Sequence, residues 1–199
     1  QNDALAPLIE KVPPHRRTRV TGEEMPRDIV RLLALPFVGV LLARYAASTG
    51  YRRASMQHFF DLYWRSYGCY LYFRFLTRKG VSAVILSNDH WLTNRALLKA
   101  ANDNGVPTVY IQHASVTTKF PPLEFSYALL DGRDALEKYD AIGPSRTQVY
   151  LVGIGKLDKY MQSGKHAHGT QKIGIWVNLL DPAKRFEGFC AALAEPFGG

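Results

Sequence analysis

Four short polar tracts carry the residues able to do chemistry in this 199-residue chain. They are Asn88-Asp89-His90-Trp91, Gln112-His113-Ala114-Ser115, Asp131-Gly132 and Gly153-Ile154-Gly155-Lys156. Two histidines, two aspartates and a lysine suit proton transfer and the holding of an anion. An imidazole titrates near neutrality, so His113 is a candidate general base, and the carboxylate of Asp89 is the second candidate. Each has a plainer alternative: a strand-end histidine bonded to backbone, and an aspartate that caps the following helix. Asp89 and His90 are two separate contributors rather than a dyad, because neighbours on a strand point to opposite faces.

The elements that must position these tracts follow from the hydrophobic pattern. Apolar, β-branched runs at VSAVILSN (81–88), PTVYIQH (107–113), within EFSYALLDG (124–132), at TQVYLVG (147–153) and at KIGIWVN (172–178) read as strands. Helical patterns fill TNRALLKAANDNG, with Thr93 as cap and Gly105 as stop, then RDALEKYDAIG and PAKRFEGFCAALAE. The strands begin roughly 20–25 residues apart, with helices mostly between them, which predicts an α/β fold: a Rossmann-like parallel sheet with helices on both faces. Ligands of such sheets bind beyond the carboxyl ends of the strands. The four tracts then share one edge, and the hydroxyls and cation of Ser115, Thr117 and Lys119 extend it.

The texture of the chain divides it into a basic helical part (1–80), an α/β part (81–160), a polar linker MQSGKHAHGTQ (161–171) and the start of a second Rossmann-like domain (172–199). His166 and His168 belong to the linker and are read as solvated rather than metal-binding; no metal site is predicted. PPHRRTRV (13–20) reads as a loop and the acidic residues of TGEEMPRDIV as the approach to a helix. Ser55 to Gly80 reads as a helix with a broad aromatic face, stopped by Lys79-Gly80. Basic–aromatic interleaving there could stack nucleic acid. A helix packed under a sheet explains the same pattern, and no nucleic-acid partner is predicted. Ile29 to Ala47 is apolar but broken by Arg31, Pro36 and Arg44, and its uninterrupted run falls short of the roughly 20 residues that span a bilayer. It reads as a buried helix, kinked or restarted at Pro36, with a helix lying in a membrane interface as the rival.

The totals narrow the class. Lys and Arg number 25 against 17 Asp and Glu, a net charge of +8 that suits an anionic partner. Cys69 and Cys190 lie in apolar helical stretches, with neither metal-ligand spacing nor a disulfide framework, so a reducing compartment is expected. Nothing near the N-terminus has the form of a signal peptide. No dinucleotide or P-loop glycine signature follows any strand. The chain opens at Gln1 and stops at Gly199, so a piece of a longer protein is expected.

Taken in order, VPTVYIQHASVT, YALLDGRDALEKY and VYLVGIGKLDKY resemble the N-terminal domain of GT-B-type transferases that build bacterial surface polymers. This broad group holds CDP-glycerol glycerophosphotransferases, capsule-type glycosyltransferases and the UDP-GlcNAc 2-epimerase-like fold. The resemblance covers roughly residues 81–178. In the family a strand ends in Gln-His-Gly or His-Gly-Thr, and here Ala114 stands at the glycine, so the backbone cannot approach a phosphate as closely. The last strand of the family's domain ends in Gly, with a basic residue and an Asp after it, matched by Gly153, Lys156 and Asp158.

The resemblance implies a glycosyl- or glycerophosphotransferase. His113 and Asp89 would be catalytic, and His90, Gln112, Ser115, Thr117, Lys119, Asp131, Gly132, Gly153 and Lys156 would bind substrate. It implies a nucleotide-activated sugar or CDP-glycerol donor held mostly by a C-terminal domain, a lipid-linked or polysaccharide acceptor, and no cofactor. The location implied is cytoplasmic and peripheral on the inner face of the cell membrane, with an anionic membrane surface as a further partner. Two alternatives stand beside it: a nucleotide-sugar epimerase or hydrolase of the same fold, and a non-catalytic basic module that docks on a membrane or a partner.

Overall fold

The computed structural model describes residues 10–18, 25–48, 59–88, 90–154 and 187. The chain divides into two units, Gln1–Gln162 and Ser163–Gly199. Asp89, Lys156, the linker 161–171, the strand 172–178 and, Glu187 apart, the helix 182–195 lie outside the described residues.

In chain order the elements of the first unit are α1 (Arg27–Ala34), α2 (Val38–Ala47), a π-helical segment (Phe59–Arg65) and α3 (Ser66–Thr77). Then come β1 (Val84–Leu86), α4 (Leu92–Asp103), β2 (Thr108–Ile111), β3 (Tyr127–Leu130), α5 (Arg133–Ile142) and β4 (Gln148–Leu151). The strands make one sheet in the order β1-β2-β3-β4. Every pair is parallel, as the strand–helix rhythm predicts, with Val84 opposite Thr108, Tyr110 opposite Ala128 and Ala128 opposite Val149. Strand alternation sends Val84, Leu86, Thr108, Tyr110, Ala128 and Leu130 into the core. Thr108 is the polar member, and its hydroxyl and amide exchange hydrogen bonds with Ser126, at 2.9 and 3.1 Å.

The helices correct the expectation of two covered faces. Leu98 and Ala101 of α4 and Ala135 and Tyr139 of α5 pack in a single core with Leu86, Tyr110 and Leu130. Both described crossover helices therefore cover the same face. The reason is topological: right-handed crossovers between consecutive strands all fall on one side, and only a reversal of strand order moves a helix to the other. On the opposite face Ile85, Tyr127 and Tyr150 are 37%, 40% and 45% exposed.

Helix stops are as read from the sequence, and one start is not. Gly105 adopts φ +68°. Its amide bonds to Asn102 and that of Val106 to Ala101, the doubled closure that a left-handed glycine permits. Thr93, expected to cap α4, instead lies inside its first turn. Asn88 takes over that end: its Oδ1 accepts the backbone amides of His90 at 3.2 Å and Trp91 at 3.0 Å. β2 reaches β3 without a helix. The connection is pinned by buried Val116, Leu123 and Phe125, by the Arg95–Glu124 ion pair and by an Asn102 Nδ2 bond to the Glu124 carbonyl.

Before the sheet lies a helical layer. α3 packs its Cys69 and Phe73 against Ala96 and Ala100 of α4, and against Met25 and Val30. Pro36 sits in a 3-10 turn, Leu35–Phe37, that joins α1 to α2, so the helix does restart there. The expected burial of this segment is corrected. Only Val30, Ala34 and Leu41 are buried, and just 17% of its most apolar stretch is covered. Arg27–Ala47 runs 21 residues and is long and apolar enough to cross a membrane by length and composition, although Arg31 and Arg44 still bound the short uninterrupted run read from the sequence.

Candidate functional site

Parallel pairing delivers all four strands' carboxyl ends to one edge. Strand alternation makes Gln112, the first residue past β2, a buried one. Its side chain is a clamp rather than a free ligand group. Oε1 accepts the Asp131 amide at 2.9 Å, and Nε2 donates to the Ala114 carbonyl at 3.0 Å. Its own amide donates to Leu129 at 3.0 Å, carrying the β2–β3 ladder one residue further. One glutamine thus ties the end of β3 to the turn that leaves β2. His113, half-buried, is held between two clamped residues, and Asp131, also half-buried, is fixed by the same side chain.

A second grouping forms beyond β1. Asn88 folds the chain back so that the His90 ring comes under Phe120, with centroids 4.8 Å apart and planes tilted by 36°. The Asn88 Nδ2 lies 3.5 Å from His90 Nε2, and Asn94 donates to the Asn88 carbonyl at 3.0 Å. Phe120 belongs to the β2–β3 connection, so that loop bends over the end of β1. Ser115, Thr117, Thr118 and Lys119 are exposed along it, with buried Val116 as their anchor. Lys119 turns its amide to the Thr117 hydroxyl at 3.4 Å.

The structure therefore joins Gln112 to Asp131, and His90 to the loop that bears Ser115, Thr117 and Lys119. Gly132 precedes α5 in extended backbone that any residue could adopt. Gly153, at φ +75°, occupies the left-handed region where glycine is favoured, two residues past β4. Asp89 and Lys156 lie outside the described residues. Phe120, and the organising role of Asn88 within its tract, are what the sequence reading missed. An asparagine four residues before a helix start, able to accept the amides two and three residues on, is a visible signal, whereas the ring contact of Phe120 is not.

Among the described residues no three of His, Cys, Asp and Glu cluster as a metal site. Two cavities lie elsewhere: one of about 310 Å3 between Pro122–Phe125 and Pro144–Thr147 at the amino ends of β3 and β4, and one of about 350 Å3 between α2 and the α3–α4 pair. No family model, no curated protein and no solved structure matches this chain.

Proposed function

We propose that the chain is the acceptor-side, Rossmann-like half of a GT-B-type transferase, which moves a sugar or glycerophosphate from a nucleotide-activated donor to a surface-polymer or lipid-linked acceptor. One observation carries this reading: the Gln112 clamp at the carboxyl edge of a parallel sheet, with His113 beside it. In the reaction His113 takes the proton of an acceptor hydroxyl. The oxygen attacks the donor's anomeric carbon, or its phosphorus, and the bond to the nucleotide phosphate breaks. Ser115, Thr117 and Lys119 bind the polar acceptor, and His90 and Asp131 line the edge. The donor belongs to a second domain, of which residues 172–199 would be the start.

The test uses a protein that carries this domain together with a nucleotide-binding one. His113→Ala should lower kcat by about 100- to 10,000-fold at unchanged melting temperature. A variant that keeps its stability and more than about a third of kcat excludes His113 as the base. Asp89→Asn is then the next measurement. Turnover of the nucleotide sugar with no acceptor present would favour the epimerase or hydrolase alternative instead.

A further inference from the structure

Helices α1 and α2 turn apolar side chains both inward and outward. Inward, Val30 and Ala34 of α1 and Leu41 of α2 pack on Cys69, Phe73 and Phe59. Outward, Ile29, Leu32, Leu33 and Pro36 recur at helical spacing, followed by Val40, which also borders the cavity beside α3 and α4, and all are exposed. Leu32 is 65% and Val40 58% exposed. A surface helix of a water-soluble domain carries mostly polar residues on its far side, and a contiguous apolar stretch left in water there needs a cover. We propose that this outward face lies in the interface of an anionic lipid bilayer, parallel to its plane.

Charge and anchoring both point to that occupant. Arg27, Arg31 and Arg44 are exposed on these helices against one acid, Asp28, and Lys11, Arg16 and Arg17 are exposed against one acid, Glu10, among the described residues before them. Long cationic side chains beside an inserted apolar face reach lipid phosphates. A span is disfavoured by the inward face. To cross the bilayer, Val30, Ala34 and Leu41 would have to leave the aromatic layer, and Trp64 would have to release the Arg31 carbonyl to which its Nε1 donates at 3.1 Å. A second copy of the chain would face the same excess of arginine. The membrane contact does not depend on the chemistry at the strand edge.

Flotation of the chain with vesicles of phosphatidylcholine, with and without phosphatidylglycerol, tests the proposal. The chain should float with the phosphatidylglycerol vesicles and be released by high salt or alkaline carbonate. Leu32→Glu and Val40→Glu should each weaken binding by about tenfold or more. Their melting temperatures should stay near the parent's, because both side chains are already exposed. Arg27→Gln with Arg44→Gln should weaken binding to anionic vesicles selectively. Four results would each overturn the proposal: no flotation, or flotation unchanged by the glutamates; retention through alkaline carbonate, which marks a span; a lipid-free dimer that the glutamates dissociate, which marks a second copy; and a large loss of folding stability in Leu32→Glu, which marks a face covered by the chain itself.

Discussion

The carbonyl oxygen of Val30 stands 2.0 Å from the point that a Cβ on Gly68 would occupy. Helix α1 therefore meets α3 at backbone contact, and the glycine is what allows it. Gly68→Ala is expected to destabilise the protein by about 2 kcal/mol or more, because the obstacle is backbone that cannot rotate away. The opposing gain in helix propensity, about 1 kcal/mol, is smaller. Thermal unfolding followed through Trp64 would measure the difference, and an unchanged or raised melting temperature would show that α1 does not rest on α3.

Gln112→Leu keeps the size of the side chain and removes both clamp bonds. The Asp131 amide and the Ala114 carbonyl would lose their partner, at a cost of about 1–3 kcal/mol. Hydrogen exchange at Asp131 should accelerate while that of α3 stays constant. Equal acceleration everywhere would assign Gln112 to global stability instead.

Asp103 gives a pH dependence of known sign. The Lys99 ammonium, then the Tyr70 hydroxyl, hold its carboxyl below the usual carboxylate range. Its contribution is therefore complete above the unfolded value and is lost as pH falls through the lowered folded one. Lys99 is raised, chiefly by its bond to Asp103, so its share is complete below its ordinary value and is lost as pH rises through the raised one. Asp103→Asn should flatten both limbs of the stability curve, each by less than about 1 kcal/mol, since water screens this surface pair. An unaltered acid limb would remove Asp103 from it.

Cys69 is fully buried in α3, and that burial raises its thiol pKa against the lowering effect of Arg65. A protonated, covered thiol reacts only when the helix opens. In a chain carrying Cys190→Ser, labelling of native Cys69 should run at least about a thousandfold slower than in denatured protein. Fast labelling in buffer would show that the helical layer opens separately from the sheet.

The sequence by itself determined the elements. Apolar runs of strand length, the helices between them, the stops at Gly80 and Gly105 and the restart at Pro36 are local patterns, and local sterics set them. Parallel pairing of β1 with β2 and of β3 with β4 followed, because an intervening helix of that length fits a crossover and not a hairpin. The strand-end position of His113 and Asp131 was legible in the same way. Only the tertiary structure decided what covers what. It put α4 and α5 on one face, left Leu32 and Val40 outside, turned Gln112 from a ligand candidate into a clamp, and set Phe120 over His90. Each of these depends on residues far apart in the chain. An apolar periodicity says that a face must be buried and is silent on whether protein or lipid buries it, since both remove it from water equally well.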